Sequence, residues 1–251
     1  MATKITGLNA RFYIGGFDLS ADVSALDNVA GSIHPLDVTG IQALAHERLG
    51  GQREGALDFS LFFDTGAGQE HAALSGLPTA DVIASAFLAN AAGAQAVGSP
   101  CCSINSKQVN YDWTRGTDGS LTGKVSCQSS GFGLEWGEAL TAGLRTDSAA
   151  TVGAFFDDGA GTAFGGQAYF QLIAFAGTSV TIDIQSATTS GGSYATTGLT
   201  SSALTAIGAQ RVAVSNATTI NEFLKVVTTG TFSNAVFAVH FSRNLVAGVV
   251  F

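Results

Sequence analysis

The chain has 251 residues, of which 32 are glycine and only 3 proline, and 12% are charged. Its 11 Lys/Arg against 19 Asp/Glu give a net charge of −8, which argues against a protein that grips nucleic acid, because phosphate binding needs a surplus of cations. No apolar run approaches the roughly 18 residues of a membrane-spanning helix, and the length suits one large or two small domains, each with its own core.

The opening Met1-Ala2-Thr3-Lys4-Ile5 lacks the apolar core of a signal peptide, so a protein made and kept in the cytoplasm is expected. Arg11 to Leu19 reads as a hairpin: Phe12 and Ile14 precede Gly15-Gly16, and Phe17 and Leu19 follow. A two-residue Gly-Gly connection suits the positive φ angles of a tight turn. Val23 to Leu36 carries a strand pattern. From Asp37 to Gly55 the apolar pattern weakens among Gly40, Gly50, Gly51 and Gly55, and a long loop is expected there, of the kind that is functional or ordered by a partner.

The clearest periodicity follows. In Ala56 to Asp64, Leu57, Phe59, Leu61 and Phe63 alternate with Asp58, Ser60 and Phe62, a period of two that predicts a strand with one buried face. Thr65-Gly66-Ala67-Gly68 predicts a turn, and Gln69 to Leu77 a short helix stopped by Pro78. Asp81 to Ala89 fits a buried strand or a short helix. Gly98 to Tyr111 and Ser120 to Ser129 read as strands paired around Arg115-Gly116-Thr117-Asp118-Gly119, since Asp-Gly is a strong turn signal. Phe132 to Trp136 extends the same system.

Composition shifts at about 141–148 towards Thr, Ser, Ala and Gly. Strands are predicted at Val152 to Phe156, Ala168 to Phe175, Ser179 to Gln185, Arg211 to Val214, Glu222 to Thr228 and Ala235 to Ser242. Turns are predicted at Asp157-Asp158-Gly159, Gly165-Gly166, Ser190-Gly191-Gly192 and Thr229-Gly230. This is a β-sandwich pattern, and the apolar tail Leu245 to Phe251 reads as a final strand. Two domains are expected, 1–144 and 145–251. Residues 1–144 hold 7 Lys/Arg and 14 Asp/Glu, a net −7, whereas 145–251 hold 4 and 5, a net −1.

Little in the sequence resembles catalytic or cofactor chemistry. There is no GxSxG and no Walker loop. His46-Glu47-Arg48-Leu49-Gly50 lacks the second histidine of a zinc-protease motif, and Gly66-Ala67-Gly68 and Gly159-Ala160-Gly161 both miss the last glycine of GxGxxG. His34, His46, His71 and His240 have no ligand spacing. No cofactor, metal or enzymatic activity is expected. Asp157-Asp158 near Gln167 and Asp183 is a candidate calcium cluster, with a plain turn as the competing reading. Glu135 and Glu138 read as solvated carboxylates rather than an acid–base pair. Trp113, Trp136, Tyr169 and Tyr194 are candidates for a sugar-binding platform, against ordinary packing. Cys101, Cys102 and Cys127 read as buried thiols, with a bridge from Cys127 as the alternative.

The order of parts resembles the major tail tube protein of long, non-contractile-tailed bacteriophages. The resemblance runs over roughly 1–140. It is carried by Phe12-Tyr13-Ile14-Gly15-Gly16-Phe17-Asp18-Leu19-Ser20, Leu36-Asp37-Val38-Thr39, Arg48-Leu49-Gly50-Gly51-Gln52-Arg53-Glu54-Gly55, Leu57 to Asp64 and His71-Ala72-Ala73-Leu74. Residues 145–251 resemble the β-sandwich that some such proteins carry on the tube exterior. The resemblance implies a mainly β, barrel-forming domain with one short helix, followed by a carboxy-terminal β-sandwich. It implies a virion structural protein, assembled in the host cytoplasm into stacked hexameric rings. DNA would transit the lumen without specific binding, and the partners would be other copies, a tape measure protein and tail-end proteins, with no membrane insertion. The 37–55 segment would be the inter-subunit loop, with Asp37, Ile41, Leu44, His46, Glu47, Arg48, Leu49, Arg53 and Glu54 as its assembly residues. The competing readings are another ring-forming tail component, or a soluble module that recognises carbohydrate through the second sandwich, with Tyr169 and Tyr194 exposed.

Overall fold

The computed structural model describes residues 4–246, so the final strand expected at Leu245 to Phe251 falls largely outside the described residues. The described chain is almost wholly β. In order it forms β1 (Arg11–Ile14), β2 (Phe17–Asp18), β3 (Val23–Asp37), β4 (Arg48–Phe62), the helix α1 (Glu70–Leu74), β5 (Val82–Phe87), β6 (Pro100–Gln108), β7 (Asp112–Arg115) and β8 (Leu121–Ser129). There follow β9 (Glu135–Ala139), β10 (Arg145–Asp147), β11 (Val152–Asp157), β12 (Gly166–Ala187), β13 (Ala195–Thr200), β14 (Gly208–Ala213) and β15 (Phe223–Arg243). All strand pairs are antiparallel.

The β1–β2 turn is made by Gly15 and Gly16, whose φ angles are 58° and 88°, the positive values that favoured the pair in the sequence. In β4, Leu57, Phe59 and Leu61 are fully buried while Phe62 on the opposite face is 54% exposed, as the alternation predicted; Phe63, expected on the buried face, lies past the end of the strand and is exposed. The helix is shorter than expected. Its first residue, Glu70, is buried, its N–H donates to the Asp22 carboxylate at 3.1 Å, and its carboxylate accepts from the Asp64 N–H and the Tyr111 hydroxyl, both at 2.8 Å. Asp81 to Ala89 resolves as a strand. The Asp118-Gly119 turn joins β7 to β8 and not β6 to β8. β6 meets β8 only over Ser106↔Ser129 to Gln108↔Cys127.

The carboxy-terminal half differs from expectation in one main respect. Four expected strands are two: β12 runs through 166–187 and β15 through 223–243, paired from Gly166↔Arg243 to Ala187↔Phe223. Gly177 and Gly230, the latter expected in a turn, instead bend these strands. Their φ angles are +156° and +116°, and a Cβ would stand 2.4 Å from the Phe232 Cα at Gly177 and 2.3 Å from the Ser179 carbonyl oxygen at Gly230. Only glycine fits such a close approach of two backbones. Phe170 and Leu172 before the bend share one core with Ile182 and Ile184 after it, and Leu224 and Val226 share it with Phe237 and Val239. Each strand therefore folds over to serve both layers of one core. The short strands β10 and β13 were not anticipated.

A second core gathers Phe12, Ile14, Leu57, Phe59, Leu61, Ile104 and Val125 from the amino-terminal half. A third, smaller one joins the halves through Tyr13, Phe87, Cys101, Ala139 and Ala238. β9 pairs with β6 on one side and β15 on the other, so one hydrogen-bonded sheet continues across residue 144. Cys101 faces the third core and its neighbour Cys102 the second, with Cys127. All three are free, so the alternative bridge is not formed. Burial pushes the Cys102 and Cys127 thiols up to about 12.

Candidate assembly interface

The segment expected as a loop over 37–55 is a loop only over 38–47. Arg48 to Gly55 belongs to β4 and pairs with β3, out to Asp37↔Arg48. The sequence disguised this because a ribbon open to solvent on both faces needs no apolar alternation. Gly50 and Gly51 read as loop punctuation, yet Gly51 is required by the ribbon: a Cβ there would stand 2.5 Å from the His34 carbonyl oxygen.

Among the described residues, β4 pairs with β8 only from Ala56 onward, and β3 pairs with nothing but β4. From Gly31 to Asp37 and back from Arg48 to Gly55, the hairpin therefore stands as a two-stranded arm, roughly 20 Å long at about 3.4 Å per residue. The whole outer edge of β3 lacks a strand partner among the described residues. A bare two-stranded ribbon is marginal in water, and an open edge this long invites another chain.

The nine expected assembly residues all lie on this arm. Asp37 ends β3; Ile41, Leu44, His46 and Glu47 lie in the tip loop; Arg48, Leu49, Arg53 and Glu54 lie on β4. Ile41 and Leu44 are completely exposed and Leu49 is 58% exposed. Ile33, Leu36 and Val38, which the sequence reading left out of the interface, are also open to solvent; their nearness to the tip was the available signal. An apolar set gathered on one projection is unlike singly scattered surface apolars.

The tip is ordered internally. The Asp37 carboxylate accepts from the Thr39 hydroxyl and, at 2.9 Å, the Thr39 N–H, and it lies 3.2 Å from His46 Nδ1. The Val38 N–H donates to the Glu47 carbonyl at 2.9 Å. Thr39's hydroxyl and N–H, then His46, hold the Asp37 carboxyl below the usual carboxylate range.

The other candidates do not converge. The Asp158 carboxylate pairs with Arg243, Gln167 donates to Asn244 at 3.0 Å, and Asp183 accepts from Thr196 and Thr200. Asp157 caps its own turn by accepting from the Gly159 N–H at 2.9 Å. Gln167 and Asp183 stand at opposite ends of β12. No group of three metal-ligating side chains occurs among the described residues. The aromatic platform is not assembled either. Tyr169 is buried and stacked on the His240 ring at 5.2 Å, Trp113 packs against Phe63 and Tyr111, and Tyr194 lies under the Lys225 ammonium at 3.8 Å.

Glu135 corrects the reading of solvated carboxylates. It is buried, accepting from Arg211 at 2.6 Å and the Tyr169 hydroxyl at 2.5 Å, while the guanidinium lies 3.7 Å over the Phe132 ring. Nearby, the His240 ring lies 2.7 Å from the Ser103 hydroxyl, which bonds Ser85, and Gln171 bonds Ser85, the Ile83 carbonyl and the Gly16 N–H. These contacts form a buried polar seam between the two halves. Glu138, by contrast, is partly buried; desolvation and the neighbouring Asp158 raise its carboxyl to about 7.

No family model matches the chain, and no curated protein matches it. Among solved structures, a chain from the tail of an empty gene transfer agent particle with C6 symmetry has 14% identity and a TM-score of 0.39, covering 50% of this chain and 94% of its own. A chain from the virion of the native gene transfer agent particle gives the same values. The Dit protein of SPP1, described as a hub of the adsorption apparatus of phages infecting Gram-positive hosts, has 11% identity and a TM-score of 0.34 over 93% of this chain and 99% of its own.

Proposed function

We propose that this chain is a structural protein of a bacteriophage tail that assembles with copies of itself into stacked hexameric rings, forming the hollow tail tube. The observation that carries the reading is the β3–β4 arm, with its unpaired edge and its exposed Ile41 and Leu44. Apolar side chains held out on a ribbon that cannot bury them within its own chain gain stability only when a neighbour covers them. Joining sheet edges between subunits closes the open edge of β3 and builds a larger barrel. Head-to-tail stacking of rings is a contact that does not close on itself, so it extends into a tube.

In this reading the chain has no enzymatic role, and it resides in the virion tail after assembly in the host cytoplasm. Residues 1–144 form the ring and residues 145–251 lie on the exterior. The acidic excess of the first part lines a lumen that repels passing DNA, and a tape measure protein and tail-end proteins set its length. Mapped lumen side chains that were neutral or basic would remove the charge argument. The carbohydrate-module reading loses Tyr169, which is fully buried.

Negative-stain electron microscopy of the concentrated protein tests the proposal. Hollow filaments of unlimited length support it. Single rings that never stack favour another ring-forming tail component. Monomers that stay dispersed even with tail-end partners present overturn it.

A further inference from the structure

The arm tip needs an acceptor, and the same chain carries a matching one. Between β11, β15 and the segment after β9 lies an open cleft of about 400 Å³. Its apolar walls include Val97, Leu140, Leu144, Phe156, Leu224 and Val226. Leu140, Leu224 and Val226 are buried members of the carboxy-terminal core, so the floor of the cleft is the outer layer of that core. β11 forms one side and, among the described residues, pairs only with β15, leaving its outer edge without a strand partner there.

We infer that this cleft receives the 38–47 tip of a second copy, with Ile41 and Leu44 filling it. The inference rests on the self-assembly reading and deepens it by naming the acceptor. Three observations support the pairing. Ile41 and Leu44 are fully exposed and have no apolar cover within their own chain. The bonds among Asp37, Thr39, His46, Val38 and Glu47 fix the loop before contact, which lowers the ordering cost of binding. The volume suffices: an apolar cavity of about 150 Å³ holds a benzene-sized guest, so a cleft of about 400 Å³ takes two branched aliphatic side chains. A second cleft, about 480 Å³ at the foot of β3, presents Asn9, Arg11, Ser20 and Ser24 beside its apolar residues, much as the first presents Thr141, Arg145, Thr151 and Lys225, so it serves as the alternative acceptor in the test.

Disulfide trapping in the assembled protein tests this. The three native cysteines are buried and do not compete. Full-length Leu44→Cys chains are mixed with Val97→Cys chains, or with Leu8→Cys chains as the wrong-cleft control, allowed to assemble, and oxidised. All three positions are exposed, so folding is retained. The expected result is on the order of tenfold more crosslinked dimer with Val97→Cys than with Leu8→Cys, reflecting a high effective concentration at a docked contact. Assembly seen by microscopy without the Val97 crosslink, or with the Leu8 crosslink in its place, overturns the acceptor assignment and leaves the tube reading standing. Failure of the wild-type chain to assemble even with tail-end partners present overturns both.

Discussion

Gly55 and Leu134 are in such close contact that a Cβ on Gly55 would stand 2.5 Å from the backbone nitrogen of Leu134 and 2.9 Å from its Cβ. Gly31, the register partner of Gly55, also packs on Leu134, where a Cβ would lie 3.4 Å from the carbonyl oxygen. Leu134 is thus the seat on which the β3–β4 arm leaves the body. Backbone, and not a flexible side chain, is the obstacle, so Gly55→Val forces a shift of the arm root. The expected loss is about 1–3 kcal/mol, the usual cost of overpacking, read as a lower denaturant midpoint with an unchanged slope.

The arm tip predicts the opposite pattern. Ile41→Asp with Leu44→Asp removes apolar groups that touch nothing within the chain. Monomer stability stays within about 0.5 kcal/mol of wild type, as for surface changes away from special features. Filament or ring formation is lost. Sedimentation and thermal melting of the same preparation separate the two effects.

The Glu135–Arg211 pair predicts a large effect from a small change. Both side chains are almost wholly buried, at 0% and 8% exposure. Arg211→Leu leaves the Glu135 carboxylate without its cation, and such orphaned charges cost about 3–5 kcal/mol. The double variant Arg211→Leu with Glu135→Leu recovers much of that loss, because no uncompensated charge remains. Equilibrium unfolding of the two variants and wild type gives the comparison.

The pH dependence follows from His240. Burial lowers its pKa from 6.5 to about 3, and its Nε2 has no hydrogen-bond partner among the described residues. A neutral histidine is therefore required in the fold, while the unfolded chain takes up a proton below about 6.5. Stability from this group is fully present above pH 6.5 and falls progressively as pH drops towards 3, by at most about 1.4 kcal/mol per pH unit. Glu138 works in the opposite sense: its raised carboxyl favours the fold below the unfolded value of 4.5, and this contribution is lost as pH rises through about 7. Chemical denaturation of wild type and His240→Gln between pH 3 and 8 isolates the histidine; a wild-type curve no steeper than the variant's would refute its role.

Much of this fold was legible because buried faces leave a period in the sequence. Leu57, Phe59 and Leu61 announced β4, and Gly15-Gly16 announced its hairpin. Legibility failed where no face is buried or where pairing is remote. Arg48 to Gly55 carries no alternation because both faces of the arm are wet. Thr229-Gly230 has the composition of a turn, and only the approach of Ser179 from a strand about fifty residues earlier makes it a bend. Glu135 looked solvated because its partners, Tyr169 and Arg211, come from distant strands. The 37–55 segment stood out by its position between recognisable strands, although its ribbon form did not.

The paired length of β12 and β15 also bears on how the protein carries load. A pull applied at opposite ends of these antiparallel strands stresses the ladder from Gly166↔Arg243 to Ala187↔Phe223 in shear. Its backbone bonds lie perpendicular to the strands, so they share the force instead of opening one at a time. The bends at Gly177 and Gly230 leave both strands continuous, so tension passes between the two layers through covalent chain and not through a loop. Force spectroscopy pulling from positions 166 and 223 loads the ladder in shear; pulling from 166 and 243 peels it from one end. The first geometry is expected to give the higher rupture force.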